Sequence, residues 1–156
     1  MSETVALRPA TDADLDALRA LYVDAIETAG PEAYTPEQVA TWTRGAENEA
    51  RFRKHLLGEA AILAADADGV LGFAALDGDR VCGLYVRGDA QRRGLGDRLL
   101  TAIVAEARAR GVARLRAEAS AFSVDLFERH GFGLTETEQI VRGGVAFDRH
   151  LVARDL

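Results

Sequence analysis

The sequence predicts a mixed α/β domain built on one central sheet, and three observations carry that prediction. Apolar runs at 60–65, 70–76 and 80–86 are separated by the turn signals Asp66-Ala67-Asp68-Gly69 and Asp77-Gly78-Asp79, the pattern of an antiparallel meander. A long amphipathic segment follows at 94–110, with Leu95, Leu99, Ile103 (or Ala102) and Ala107 on one side and Gly111 just past its end, the signature of a helix. The whole chain is 156 residues, room for one domain over 1–156. A chain of that size can bury roughly two-thirds of its unfolded surface without a disulfide or metal staple.

The elements follow in order. Residues 5–8 read as a short first strand stopped by Pro9. Thr11-Asp12-Ala13-Asp14 resembles a capping box, and Leu15, Leu18, Tyr22, Ala25 and Ile26 then recur at helical spacing until Gly30-Pro31. Thr35-Pro36-Glu37-Gln38 is a second helix start, with Thr as cap and Pro at the first helical position, and that helix runs past Trp42. A further short helix is expected at 49–57. After the meander and the long helix, residues 114–119 alternate as a strand, and 123–130 form a short helix halted by Gly131. Residues 135–141 and 145–152 flank Gly143-Gly144 as a closing hairpin. The predicted order is β-α-α-β-β-β-α-β-α-β-β.

Composition narrows the function classes. Apolar residues make up 48% and charged residues 28%, a globular balance rather than a disordered one. The 19 basic residues are outnumbered by 25 acidic ones, net −6, which argues against a nucleic-acid binder or a polybasic membrane-surface protein. The single cysteine, Cys82, cannot pair within the chain, and no Cys/His cluster has zinc-ligand spacing, so no metal is expected. The segment beginning Met1-Ser2-Glu3 lacks a basic start leading into an apolar core, and no apolar run approaches the ~20 residues of a membrane helix. The expected location is the cytoplasm.

The informative stretch is Leu84-Tyr85-Val86-Arg87-Gly88-Asp89-Ala90-Gln91-Arg92-Arg93-Gly94-Leu95-Gly96-Asp97. A strand enters a loop with two arginines and two glycines, and the long helix begins at once. Glycine lets a backbone approach a ligand closely, and the free amides of a helix start favour an anion. On spacing alone two readings stand: a phosphate cradle, or a plain turn carrying solvated arginines. The dinucleotide fingerprint is excluded because the third glycine is missing, and a P-loop because no Gly-Lys-Ser/Thr follows.

Gln91-Arg92-Arg93-Gly94-Leu95-Gly96 resembles the Gln/Arg-x-x-Gly-x-Gly/Ala signature of the GNAT N-acyltransferases, which bind acetyl-coenzyme A. The resemblance spans nearly the whole chain: Leu7-Arg8-Pro9-Ala10-Thr11 with Asp14-Leu15, Gly69-x-x-Gly72-Phe73-Ala74, Leu84-Tyr85-Val86, Ala119-Ser120, and Phe127-Glu128-Arg129-His130-Gly131-Phe132 occur in the family's order. It implies an acetyl-coenzyme A-dependent N-acetyltransferase in which an acceptor amine attacks the thioester directly. It also implies that backbone amides of Arg92, Arg93, Gly94, Leu95, Gly96 and Asp97, with Gln91 at the loop's start, hold the pyrophosphate. Leu84, Tyr85 and Val86 would meet the pantetheine arm, and an amide near Val86 the developing oxyanion.

The chain departs from the family pattern in three places. Phe127 stands where many members have a tyrosine proposed to protonate the leaving thiolate. A thiol pKa of about 8.5 makes water an acceptable substitute. Arg80 stands where some members have a glutamate base, leaving Asp79 and Glu118 as candidates, with Ser120 the hydroxyl nearby. Gly88 replaces a common proline and is expected to loosen the loop. Tyr34 and Trp42 fall in the helical pair that covers the family's acceptor site; core packing is the competing role for each. His55, His130 and His150 show no partner spacing and read as structural or surface residues, Cys82 as a small buried one. The acceptor stays open between a small amine, an amino-acid or drug-like amine, and a protein amine. A catalytically silent acyl-coenzyme A sensor and a nucleotide-binding module are the competing functions, and a homodimer through C-terminal strand pairing is compatible with the sequence.

Overall fold

The computed structural model describes residues 4–156; Met1-Ser2-Glu3, part of the segment read for a targeting signal, lies outside them. Seven strands form one sheet: β1 (Ala6–Pro9), β2 (Ala60–Asp66), β3 (Gly69–Asp77), β4 (Arg80–Val86), β5 (Arg114–Ala119), β6 (Gly133–Arg142) and β7 (Val145–Asp155). Their spatial order is β1-β2-β3-β4-β5-β7-β6. The helices are α1 (Leu15–Ala29), α2 (Pro36–Thr43), α3 (Glu49–Phe52, prolonged by a π turn over Arg53–Leu57), α4 (Leu95–Ala109) and α5 (Val124–Arg129). Every expected element is present. The closing hairpin is longer than its apolar pattern suggested because β7 pairs on both sides, with β5 and with β6.

Period-2 alternation divides the core into two layers. Ala64, Ala74 and Leu84 face α4, where Leu99, Leu100, Ile103 and Ala107 meet them together with Phe127, Phe132 and Val152. Leu63, Phe73 and Ala75 face the other way, onto Leu18, Tyr22 and Ile26 of α1 and Phe52 of α3. Because helices cover both faces, β3 is buried continuously from Leu71 to Leu76, which explains why it reads as an apolar run rather than an alternation.

All neighbouring strands are antiparallel except β4 and β5, which run parallel and are joined through α4. Their pairing is brief: Arg80 opposes Arg116, Val81 opposes Ala117, and then the strands part. The register of β4 on β3 shifts at the same point, Gly83 opposing Ala75 and Val81 opposing Leu76, so Cys82 is the extra residue of a bulge. A bulge bends its strand and steepens the local twist. From Cys82 onward β4 keeps β3 on one side and has no strand on the other.

The entrance to α1 depends on one buried carboxylate. Asp14 accepts two hydrogen bonds from the Arg8 guanidinium (2.8 and 2.9 Å) and one from the Thr11 amide (2.8 Å). Those donors, Arg8 first, hold the Asp14 carboxyl well below its ordinary range. A carboxyl depressed in the folded state adds stability at pH values above its unfolded pKa, near 3.9, and that contribution drains as pH falls below it. Asp14→Asn is therefore expected to cost about 1–2 kcal/mol near neutrality. The Tm gap from the parent chain should narrow steadily below about pH 4, which thermal unfolding across pH measures directly.

Candidate active site

Two features meet where β4 leaves β5. The first is the loop from β4 into α4. Gly94 has φ +77° and Arg92 φ +62°, so the chain curls through the left-handed region twice before the helix begins. Gly94 supplies one such position at no steric cost and presents no Cβ. The first helical bond is donated by the Arg98 amide to the Gly94 carbonyl (3.1 Å), so the amides of Leu95, Gly96 and Asp97 precede the helical ladder. Arg92 and Arg93 are exposed, and neither takes part in an ion pair among the described residues. A concave run of amides at the positive end of a 15-residue helix, flanked by two cations, suits a phosphate-bearing group.

The loop is braced from both ends. Gln91 donates from Nε2 to the Val86 carbonyl (3.1 Å), which makes it a strut between loop and strand. Asp97 receives His130 Nε2 at 2.8 Å and Arg129 at 3.3 Å, and these partners, His130 first, keep its carboxyl below the ordinary range. Its side chain is thus committed to α5, leaving its amide for a ligand. His130 has a partner after all, 33 residues away, a separation no local pattern reveals. Gly88 does not loosen the loop. Its amide donates to Asp24 of α1 (2.7 Å), and a Cβ at this position would lie 2.2 Å from Thr28 Oγ1. Proline is excluded on both counts.

The free edge of β4 follows from its register. The Arg87 amide donates to the Leu71 carbonyl (2.8 Å). Alternation along an antiparallel ladder then turns the backbone of Tyr85 toward β3, and that of Leu84 and Val86 away from it into the gap. Leu84 and the Val86 amide therefore present backbone groups to the gap. The Tyr85 backbone pairs with β3, and its ring packs against Tyr22 at 4.8 Å and Phe73 at 5.6 Å.

The second feature is a cleft of about 670 Å³ opening from the gap on the α1–α3 side, within the usual size range of small-molecule sites. Of the expected residues, Tyr34, Trp42, Tyr85, Glu118 and Ser120 line it. Tyr34 accepts the Ala121 amide (2.9 Å) and sets its ring 5.2 Å from Trp42, which stacks on Phe122 at 5.4 Å. Both aromatics are wall and packing at once. Glu118 is half-buried and ion-paired with Arg80 (3.0 Å). Ser120 gives both its amide (2.9 Å) and its hydroxyl (2.8 Å) to Ser123 Oγ. Asp79 is outside this group: it sits in the β3–β4 turn, 56% exposed and 3.1 Å from Arg116.

Sequence reading missed several cleft residues, because segments far apart in the chain supply them. Cys82 is on the wall, and burial pushes its thiol up to about 11, well away from a reactive thiolate. His55, Arg44 and Arg51 come from the α2–α3 segment, and Arg142, Phe147 and Asp148 from the last hairpin. Burial raises the Tyr22 and Tyr85 hydroxyls, Tyr85 to about 12, so both stay neutral donors at physiological pH.

Comparison with known proteins converges on this geometry. A family model described as an acetyltransferase (GNAT) domain matches residues 31–149. The chain is 34% identical to an L-methionine sulfoximine/L-methionine sulfone acetyltransferase of Pseudomonas paraeruginosa, over 95% of this chain and 90% of that one. A GCN5-related N-acetyltransferase from Rhodopseudomonas palustris superposes with a TM-score of 0.92 at 29% identity, over 100% of this chain and 99% of that one. A Salmonella typhimurium acetyltransferase solved with acetyl-coenzyme A shares the fold at TM-score 0.69 and 23% identity, over 97% and 94% of the two chains.

The Gly88 contact yields a direct test. Gly88→Pro is expected to destabilise the protein by about 2–5 kcal/mol, from overpacking against Thr28 and the lost bond to Asp24. Thr28→Ala added to it should recover part of the lost Tm; equal stability of the parent and Gly88→Pro would contradict the contact.

Proposed function

Because the chain belongs to the GNAT acetyltransferase family, we propose that it transfers the acetyl group of acetyl-coenzyme A to an amine bound in the cleft. The observation that carries this reading is the parting of β4 from β5 after Val81, which leaves backbone groups of Leu84 and Val86 open between the loop amides and the cleft. The site fits the donor molecule. Amides of Leu95, Gly96 and Asp97, with the positive φ angles of Arg92 and Gly94, form an anion cradle for its pyrophosphate. Bound there, acetyl-coenzyme A supplies an activated thioester carbonyl.

The remaining chemistry belongs to the chain. An open amide at Leu84 or Val86 stabilises charge developing on the carbonyl oxygen. The acceptor nitrogen must be neutral to attack, and Glu118, the carboxylate at the gap, takes its proton through water while Arg80 fixes the carboxylate's position. A nitrogen–carbon bond forms as the carbon–sulfur bond breaks, one proton leaves the amine, and the sulfur gains one. Neither Phe127 of α5 nor the nearby Ser120 delivers that last proton: Phe127 is 3% exposed and packs edge-on to Phe132 at 5.1 Å, and the Ser120 hydroxyl is engaged with Ser123. Water supplies it. The size of the cleft, with a relative named for acting on methionine sulfoximine and sulfone, favours a small-molecule amine over a protein one.

Three variants test this reading, the first by thermal shift and the other two by free-thiol release. Gly94→Asp is expected to abolish stabilisation by acetyl-coenzyme A in a thermal-shift titration, since a carboxylate enters the anion cradle while the cost to the fold is about 1 kcal/mol. Undiminished stabilisation in that variant refutes the cradle. Glu118→Gln should lower kcat by about 10²- to 10⁴-fold, most at low pH where the amine is protonated, and leave KM for acetyl-coenzyme A unchanged. A silent Glu118→Gln moves the base elsewhere in the cleft. Phe127→Tyr should change the rate less than about tenfold, because the new hydroxyl enters a packed apolar layer; general acid help, where it limits the rate, is worth 10² or more. A wild-type chain that binds acetyl-coenzyme A and releases no thiol with any amine is the silent sensor instead.

A further inference from the structure

We infer that the acceptor is an amine that also carries a carboxylate, gripped by Arg142 together with Arg44 and Arg51 at the mouth of the cleft. The inference rests on the acetyltransferase reading above and adds the acceptor's chemical class and the side chains that select it. The protein as a whole is acidic, net −6, yet five arginines line this cleft against two acids, Glu118 and Asp148. Two of the five are already neutralised: Arg80 by Glu118 and Arg149 by Glu138. Arg44, Arg51 and Arg142 enter no ion pair or side-chain hydrogen bond among the described residues. Surface arginines elsewhere in this chain commonly find a carboxylate, as Arg87, Arg110, Arg114 and Arg116 do. Three unpaired, exposed guanidinia lining one cleft can take an anion from outside in charge-assisted hydrogen bonds.

Position decides what that anion is. No residue of the loop from Gln91 to Asp97 lines the cleft, so these cations are not part of the pyrophosphate cradle. Arg142 ends β6 at a hairpin tip that is fixed in place. Gln38 of α2 donates to the Ala146 carbonyl (2.8 Å), and the tip at Gly143 lies against Thr41. Arg142 is exposed and lines the cleft, near enough for its charge to favour ionisation of the Tyr22 and Tyr85 hydroxyls against the effect of their burial. Glu118 lies at the other side, at the strand gap. A ligand that gives its amine to the gap and its carboxylate to Arg142 spans the cleft with its side chain on the aromatic wall of Tyr34, Trp42 and Phe147. The planar fork of arginine matches a carboxylate in two parallel bonds, and an amine lacking that group leaves the three cations unanswered.

The test compares matched acceptors under acetyl-coenzyme A. L-methionine sulfone, its methyl ester and 3-(methylsulfonyl)propylamine differ only at the carboxylate, and the twenty L-amino acids with their decarboxylated amines extend the comparison. Expected is a kcat/KM at least about tenfold higher for the acids. Arg142→Gln should raise KM for the acid about 10- to 100-fold with kcat and the KM for acetyl-coenzyme A nearly unchanged, and barely affect the decarboxylated amine. Arg44→Gln should act in the same direction. Equal efficiency for acid and decarboxylated amine, or equal loss for both in Arg142→Gln, overturns the inference while the acetyltransferase reading stands. Should no amine release thiol, that reading fails, and calorimetric titration with N-acetyl-L-methionine sulfone still reads the anion site. Binding weakened tenfold by Arg142→Gln supports the site, and no binding by the parent chain overturns it.

Discussion

The architecture depends on two strands that stop pairing. β4 and β5 share only Arg80–Arg116 and Val81–Ala117, and the bulge at Cys82 falls at the next residue. A strand in the middle of a sheet that loses one neighbour leaves alternate amides and carbonyls without partners, and buried groups of that kind are costly unless something answers them. The Val86 carbonyl is answered by Gln91, while the open backbone of Leu84 and the Val86 amide face the gap. The cleft on the α1–α3 side reaches this same place, lined by Arg80, Cys82 and Tyr85 of β4 and Glu118 and Ala119 of β5.

What surrounds the gap keeps it open in a defined shape. Asp24 of α1 holds the Gly88 amide, Gln91 ties the loop back to its strand, and Asp97 ties the first turn of α4 to His130 and Arg129. The loop is therefore braced by α1, β4 and α5 at once, and amides held in place before a ligand arrives are the condition under which backbone dipoles contribute most. On the other side, α2 is pinned to the closing hairpin through Gln38 and Ala146, which ties the cleft wall to the sheet.

Charge is distributed with equal economy. The chain is acidic overall, and the arginines without an ion pair include Arg92 and Arg93 of the loop and Arg44, Arg51 and Arg142 of the cleft. Both are places where the proposed reaction brings anions, the phosphates of the donor and the carboxylate of the acceptor. Positive charge placed at these two positions of a negative molecule concentrates anionic ligands there.

Much of this was legible in the residues alone. Thr35-Pro36-Glu37-Gln38 caps α2 as its pattern said, with Gln38 and Thr35 exchanging hydrogen bonds (2.9 and 3.1 Å), because capping is a local interaction within one turn. The meander, α4 and the glycine loop were equally local, set by turn chemistry and by periods of 2 and 3.6. Tertiary structure decided the rest. It sent Asp79 out to Arg116 and brought Glu118 in beside Arg80, although both are carboxylates near the same strand pair. It gave His130 a partner 33 residues away, explained Gly88 by a threonine 60 residues earlier, and gathered the cleft's arginines from α2–α3 and the last hairpin. The sequence determines which segments become helices and strands, because backbone preference and amphipathic period act within a few residues. Which side chains share a cavity is settled only when the sheet order and the parting of β4 from β5 bring distant segments together.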